Sequence, residues 1–264
     1  MIPGRRFATA LRSLHWGQIL VELTLLVLGI LIALAVNNWM EDRRDARLEH
    51  QYLELLTRDL DRDLAALDEA LQFEQSQVEA AAFAYREMRE ASVAPDQREA
   101  VARALGQLTS RRTLRLSRAT YTDLLSTGNL RLIRNTALRD RIVRLYESNE
   151  RAQLIRDRNN QEFVDRMYMT YLLDHAYVAP RATRALQSVS AADSAFAKRA
   201  ATPAKPVTTA DDRLWQMPPS APDWNILSGR VWYRGIVAQG AIDQYRQITE
   251  EIRAVREEIA VEMR

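Results

Sequence analysis

The chain has 264 residues, with 47% hydrophobic and 27% charged side chains, 8 glycines, 8 prolines and no cysteine. Without cysteine, disulfide scaffolds, zinc–thiolate sites, iron–sulfur clusters and cysteine nucleophiles are excluded. The low glycine and proline content also excludes a collagen-like or low-complexity chain. The net charge of +2 arises from an arginine-rich N-terminus, because residues 41–264 carry equal numbers of acids and bases. We therefore expect no nucleic-acid partner.

An apolar segment near the N-terminus predicts one membrane span. Residues 23–40 form a run of 18 positions without a charged side chain. Trp16 and Trp39 lie about 34 Å apart along an α-helix at 1.5 Å per residue. This separation places them as interfacial anchors on either side of a hydrocarbon core about 30 Å thick. We predict a transmembrane helix over 15–40, after a basic tail over 1–14.

The flanking charges predict the orientation of this span. Arg5, Arg6 and Arg12 precede it without an accompanying acid, whereas acidic residues accompany the arginines that follow it. A purely basic tail favours the cytoplasmic side. The apolar region is longer than that of a usual signal peptide, so we expect an uncleaved anchor. The bulk of the chain would then lie in the periplasm, outside a bacterial inner membrane.

Helical periodicity continues beyond the span without glycine or proline until Pro95. Apolar positions after Leu60 recur with a mean spacing near 3.5, as in the seam of a coiled coil or helical bundle. This pattern predicts a helix over about 15–91 that projects as a stalk. Asp96 is a candidate N-cap for a shorter helix after the stalk.

The remaining segments predict further helices. One covers about 117–127 and ends where Gly128 can adopt a left-handed C-terminal cap. Asn135 is a candidate N-cap for a long helix to about residue 176, and Asp223 for a helix to the C-terminus. The last helix has a second apolar seam, formed by Ile248, Ile252, Val255 and Ile259.

These patterns predict an all-α protein with one N-terminal transmembrane helix that continues into a long stalk helix. Residues 41–179 form the stalk and an extramembrane antiparallel helical bundle, which residues 223–264 complete. Residues 180–222 hold six of the 8 prolines. They are predicted to be a linker with a short helix near 182–197.

Opposite net charges predict how two segments pack. Residues 41–100 carry a net charge of −8 and residues 111–158 a net charge of +7. Charge complementarity selects a partner and an orientation more than it adds stability, so we expect the acidic stalk and the basic middle helices to pack antiparallel. An alternative is a patch for anionic lipid or phosphate formed by Arg111, Arg112, Arg115 and Arg118.

The predicted span contains one acidic residue, Glu22. One interpretation is that its side chain reaches the headgroups. The other is that it faces protein, because ionisable residues within spans usually face protein or water. Gly29 and Ala33 lie on the same helical face and permit close helix approach. We therefore predict that Glu22, Gly29 and Ala33 form a docking stripe for another transmembrane helix.

No pattern in the sequence indicates catalysis. His15, His50 and His175 include no metal-binding pair on one helical face. The glycines form no phosphate-binding loop, and no nucleophile-elbow motif is present. We expect no catalytic, cofactor or metal site and no enzymatic activity.

Two motifs and the last helix carry a family resemblance. The first motif is the apolar run 27–34 followed by Asn37-Asn38-Trp39, and the second is Tyr121–Ile133, which reads YTDLLSTGNLRLI. The closing helix, with Ile259 and Glu262, also fits. The chain resembles an uncharacterised bacterial family of single-pass membrane proteins, a domain of unknown function. The resemblance implies an architecture and no activity.

These observations favour a non-enzymatic single-pass subunit that attaches to or organises a larger membrane complex through other transmembrane subunits. An accessory role in a photosynthetic or a respiratory assembly fits equally. One alternative is a sensor or ion-coupled component that uses Glu22. Another is a homo-oligomeric coiled-coil scaffold.

Overall fold

The computed structural model describes residues 16–175 and 214–264, and these residues form helices and turns without any β-strand. The predictions for the basic tail 1–14 and for most of the linker, with its helix near 182–197, lie outside the described residues. Chain order gives α1 Trp16–Met88, α2 Arg98–Gln107, α3 Ala119–Ser126, a 3₁₀ turn Asn129–Leu132, α4 Thr136–Asn159, a π-helix Asn160–Met169, α5 Thr170–Asp174 and α6 Asp223–Glu262. The all-α prediction is confirmed for these ranges.

Helix α1 is one continuous helix of 73 residues. Beyond Tyr52 most of its buried side chains recur at alternating intervals of three and four residues, which is the spacing of a heptad seam, and Asp59 and Ala80 are buried directly beside it. The seam comprises positions 53, 56, 60, 63, 67, 70, 74, 77, 81, 84 and 88. Three of its members are polar, namely Asp63, Glu74 and Gln77. The period predicted for the stalk is therefore correct, but only half of the eight residues predicted for the seam are buried. Leu60, Leu67, Ala81 and Met88 are buried, whereas the other four lie beside the seam: Leu64, Leu71 and Val78 are half-buried and Tyr85 is 37% exposed.

Helix α6 packs antiparallel against α1. Arg256 pairs with Asp61, and the Cα of Gly235 lies so close to α1 that an added Cβ would be 3.0 Å from the Cβ of Ala81. The apolar residues predicted for the second seam are all at most 4% exposed: Ile248, Ile252, Val255 and Ile259. The antiparallel bundle and this seam are confirmed.

Residues between α2 and α4 run back along α1. Arg112 contacts Glu69, and Arg134 contacts Glu49 farther toward the N-terminus, so this segment is antiparallel to α1. Helix α4 is antiparallel to α6, since Arg141 pairs with Glu258 near its start and Arg156 bonds Gln244 near its end. Because α6 is antiparallel to both α1 and α4, α4 runs parallel to α1. The antiparallel prediction was right for residues 111–134 and wrong for α4.

Predicted helix caps differ in outcome. Asn135 caps α4 by accepting a hydrogen bond from the Leu138 backbone N–H at 3.1 Å, and Gly128 adopts the left-handed conformation after α3 with φ 70°. The other two caps were wrong. Gln97, and not Asp96, precedes α2, while Asp223 is the first helical residue of α6 and accepts a hydrogen bond from the Tyr171 hydroxyl at 3.3 Å.

Two apolar cores stack along the bundle. The first core joins residues 53–70 of α1 to α3, α4 and the C-terminal half of α6. The second core joins residues 80–88 of α1 to α2, α5, Leu214 and the N-terminal part of α6. Between them lies a layer of buried polar side chains, which we call the polar layer: Glu74, Gln77, Arg156 and Arg234. Helices α1 and α6 therefore each pass through both apolar cores, with the polar layer between them.

Candidate functional site

The first part of α1 is apolar and packs against nothing else in the described chain. Its large apolar side chains from Leu20 to Met40 are 46–67% exposed. Glu22, Gly29 and Ala33 are exposed on one face of this helix, and a Cβ added to Gly29 would meet no atom within 4 Å. Among the described helices, α1 is the one long and apolar enough to cross a membrane.

The predicted anchors lie at the two ends of this apolar segment. Trp16 is the first residue of α1, and its side chain lies outside the described part of the structure. Trp39 is 60% exposed, with the Arg43 guanidinium 5.4 Å from its ring centroid. Tryptophan is enriched where transmembrane helices meet the membrane–water interface.

The second sequence motif, residues 121–133, contacts α1 through two hydrogen bonds to Tyr52, which we call the clasp. The Tyr52 hydroxyl donates to the Asp123 carboxylate at 2.8 Å and accepts from the Asn129 amide at 2.9 Å. Gly128 lies between these two contacts in the left-handed region, which a side chain would strain. The polar residues of this motif therefore attach residues 121–133 to α1, and Gly128 allows the backbone to turn between the two contacts.

Two buried aspartates on α1 hold the start of α3. Asp59 accepts hydrogen bonds from the Thr120 hydroxyl at 2.7 Å and the Thr120 backbone N–H at 3.3 Å. Asp63 accepts from the Ser117 N–H at 2.8 Å. Burial raises the pKa of Asp63 to about 6 despite this bond. Asp59 therefore caps α3 from another helix, and Asp63 holds the residue before the N-cap Arg118.

Four arginines form the alternative patch for anionic lipid or phosphate that the sequence suggests. Arg111 pairs with Asp165 at 2.9 Å, Arg112 with Glu69 and Arg118 with Glu150 at 3.0 Å. Arg115 is exposed. Three of the four arginines therefore form ion pairs with carboxylates of α1, α4 and the π-helix. For the fourth, Arg115, the described chain shows no ion pair.

The polar layer contains an ion pair that is almost completely excluded from solvent. Arg234 is 1% exposed and lies 3.9 Å from the Glu74 carboxylate. Its guanidinium also donates to the carbonyls of Leu108 at 3.2 Å and Ser110 at 3.1 Å, just after α2. Burial raises the pKa of Glu74 to about 7, although the Arg234 charge opposes the shift. Arg234 therefore connects α1, α6 and the C-terminal end of α2.

A cavity of about 340 Å³ opens beside this pair, between α1, α4, the π-helix and α6. Glu74 and Arg156 supply its buried charged groups. Aromatic walls come from Phe163 of the π-helix and Tyr233 of α6, whose rings are 4.9 Å apart in an edge-to-face arrangement. π-Helical segments are rare and occur frequently at functional sites.

Sequence reasoning missed this cavity and the charges beside it. Glu74 continues the heptad spacing of Leu67 and Ala81, but a charged side chain normally indicates a solvated position, and Arg156 lies in a helix rich in charge. The adjacent Asn159 and Asn160 were the available signal, because asparagine is a poor residue for a helix interior. They mark the point at which α4 changes to π-helical geometry.

The sequence profile described as a family of unknown function (DUF6090) matches residues 22–169, more than half of the chain. The protein belongs to this family. No curated protein and no solved structure matches the chain.

The DUF6090 match covers α1 from Glu22 onward, α2, α3, α4 and the π-helix. It begins at Glu22 in the apolar part of α1 and ends at Met169, the last residue of the π-helix. The clasp and both buried aspartates of α1 lie within it. Helix α6, including Ile259 and Glu262, lies outside the matched range, although it supplies one face of both cores.

Proposed function

We propose that this DUF6090 protein is a non-enzymatic, single-pass membrane subunit that attaches to or organises a larger complex of the bacterial inner membrane. One observation carries the proposal: α1 exposes an apolar surface from Leu20 to Met40 and then continues unbroken as the central helix of the bundle. A helix of 73 residues is about 110 Å long. It supports a rigid connection between the membrane and the bundle.

The base of the bundle lies close to the end of the apolar segment. Arg134 donates to the Asp42 backbone carbonyl at 3.1 Å, only two residues after Met40. Arg134, just before α4, therefore lies beside α1 soon after the apolar segment ends, whereas the turn around Gly128 contacts Tyr52, 12 residues beyond Met40. Asn135 bonds Glu262 at 2.8 Å in this region. This placement supports a bundle that stands directly on the membrane surface.

The basic tail favours a cytoplasmic N-terminus, which places the bundle in the periplasm. We expect an alkaline phosphatase reporter fused after Arg264 to be active in a bacterial host. A β-galactosidase reporter at the same position should be inactive, because it folds only in the cytoplasm. The opposite pair of activities would reverse the orientation.

We further propose that Glu22, Gly29 and Ala33 dock against another transmembrane helix. Association in lipid depends on close packing, which small residues permit, and a leucine at position 29 would hold the backbones apart. We expect Gly29→Leu to abolish co-purification of partner membrane subunits in mild detergent while membrane insertion stays normal. Affinity purification with mass spectrometry measures the partners.

Ala35→Leu is the control, because Ala35 is also exposed and lies about 140° around the helix from Glu22 at 100° per residue. It should retain the partners of the parent protein. Normal co-purification of Gly29→Leu would contradict the docking stripe and assign attachment to the bundle. Loss of partners in both variants would show that the effect is not specific to this face.

A further inference from the structure

We propose that the cavity between α1, α4, the π-helix and α6 binds a small organic carboxylate with an aromatic or branched apolar body, with Arg156 as the residue that binds the carboxylate. This inference goes beyond the proposed function and does not depend on docking within the membrane. It rests on a buried arginine that faces a cavity, on the apolar walls of that cavity and on the local balance of charge.

Arg156 is only 7% exposed. One of its Nη atoms donates to the Gln244 side-chain oxygen at 3.0 Å, and its guanidinium lies 5.2 Å from the Tyr245 ring centroid. Among the described residues, no carboxylate oxygen lies within 4.0 Å of the Arg156 guanidinium nitrogens, the limit for an ion pair. Arginine is rarely buried without such a partner, since desolvation of the charge is costly.

The cavity has the volume and the apolar walls that a small ligand needs. Its volume of about 340 Å³ lies within the range of small-molecule pockets. Phe163 and Tyr233 offer aromatic faces, while Ile155 and Ile236 form part of the walls and are 56% and 43% exposed. An apolar ligand body can therefore pack among these side chains while a polar end reaches Arg156.

The charges favour an anion over an amine. Among the buried charged groups of the polar layer, Arg156 and Arg234 are positive, and Glu74 is the acid that accompanies them. Glu74 is already paired with Arg234, which leaves the charge of Arg156 uncompensated inside the cavity. Asp157 offsets part of this charge from the adjacent position without forming an ion pair. The planar guanidinium binds a carboxylate through two parallel hydrogen bonds.

The raised pKa of Glu74 makes the site more tolerant of an anion. Burial raises this pKa to about 7, so near neutral pH a large fraction of the Glu74 carboxyl groups carry a proton. A neutral carboxyl repels a bound carboxylate less than an ionised one does. It can also donate a hydrogen bond within the cavity.

The test compares three probes that share one apolar body: 3-phenylpropionate, 3-phenylpropanamide and 3-phenylpropylamine. Each is titrated into the full-length protein in a non-ionic detergent by isothermal titration calorimetry. We expect saturable binding of 3-phenylpropionate and at least about tenfold weaker binding of the amide and the amine. Arg156→Gln should weaken 3-phenylpropionate binding by about tenfold or more, whereas Arg158→Gln, at an exposed position of the same helix, should leave it unchanged.

Gly240→Leu provides a second variant that leaves Arg156 intact. Gly240 lines the cavity, and a Cβ added there meets no atom within 4 Å, so the fold should tolerate the change while the leucine fills the space. We expect it to abolish binding of 3-phenylpropionate. The proposal is overturned if 3-phenylpropionate fails to saturate the protein at about 10 mM, if all three probes bind equally, or if Arg156→Gln binds as the parent does.

Discussion

We expect Arg234→Met to lower the free energy of unfolding by about 3–5 kcal/mol at pH 8, because it removes one partner of a buried ion pair. The methionine occupies a similar volume but leaves the Glu74 carboxylate without its cation. It also leaves the carbonyls of Leu108 and Ser110 without their donor at the end of α2. Denaturant unfolding of the full-length protein in detergent, followed by circular dichroism, measures the loss.

The pH dependence of this loss distinguishes the charge from the hydrogen bonds. The folded-state pKa of Glu74, about 7, is above its ordinary value of 4.5, so Glu74 disfavours the folded state increasingly as pH rises from about 4.5 to 7. Without Arg234 this pKa rises further, and the penalty extends to higher pH. At pH 5 Glu74 is protonated in both proteins. There the Arg234→Met loss should shrink to about 1–3 kcal/mol, the cost of the unpaired carbonyls.

Two companion variants make this result interpretable. Arg253→Met changes an exposed arginine of the same helix and should alter stability by less than about 0.5 kcal/mol. Glu74→Leu combined with Arg234→Met removes both charges and should recover part of the loss at pH 8. A loss for Arg234→Met that is independent of pH would contradict the ion-pair explanation.

We also expect Gly235→Leu to destabilise the protein by about 1–3 kcal/mol, because this position has no room for a side chain. A Cβ there would lie 3.0 Å from the Cβ of Ala81. Neither atom can move by rotating a side chain, since each is attached directly to a helix backbone. The leucine must therefore push α1 and α6 apart at the second core, in which Ala81 and Ala84 are buried. The same unfolding measurement reports the change.

Gly229→Leu is the control for Gly235→Leu. Gly229 also lies in α6, but it is exposed and a Cβ added there meets no atom within 4 Å. Replacing a helical glycine with a residue of higher propensity should stabilise the protein by up to about 0.8 kcal/mol. Equal effects of the two substitutions would show that the contact with Ala81 does not limit the approach of the helices.

Local sequence signals predicted some helix ends and missed others. Asn135 and Gly128 were predicted correctly, because a side-chain cap and a left-handed glycine depend on a few adjacent residues. Asp96 and Asp223 were wrong by one position each. The Asp223 carboxylate bonds the Tyr171 hydroxyl of α5, which is a tertiary contact that a search for local caps does not include.

The candidate binding residues could be predicted from the sequence only where all of them lie on one helix. Glu22, Gly29 and Ala33 share a face of α1 because their spacing follows the helical repeat. Arg156, Phe163 and Tyr233 come together across three elements, one of which is π-helical. No pattern along the chain brings such distant positions together, so the sequence alone contained no prediction of the cavity.

The sequence by itself determined the apolar segment, the all-α class, the period of both seams and the caps at Gly128 and Asn135, because each depends on composition or on residues within a few helical turns. The tertiary structure decided the parallel direction of α4, the burial of Glu74 and Arg234, and the cavity beside them. These features depend on which helix faces which. Charged residues such as Glu74 and Arg234 normally indicate a solvated surface, and only the opposite charge and the carbonyls supplied by other helices make their burial tolerable.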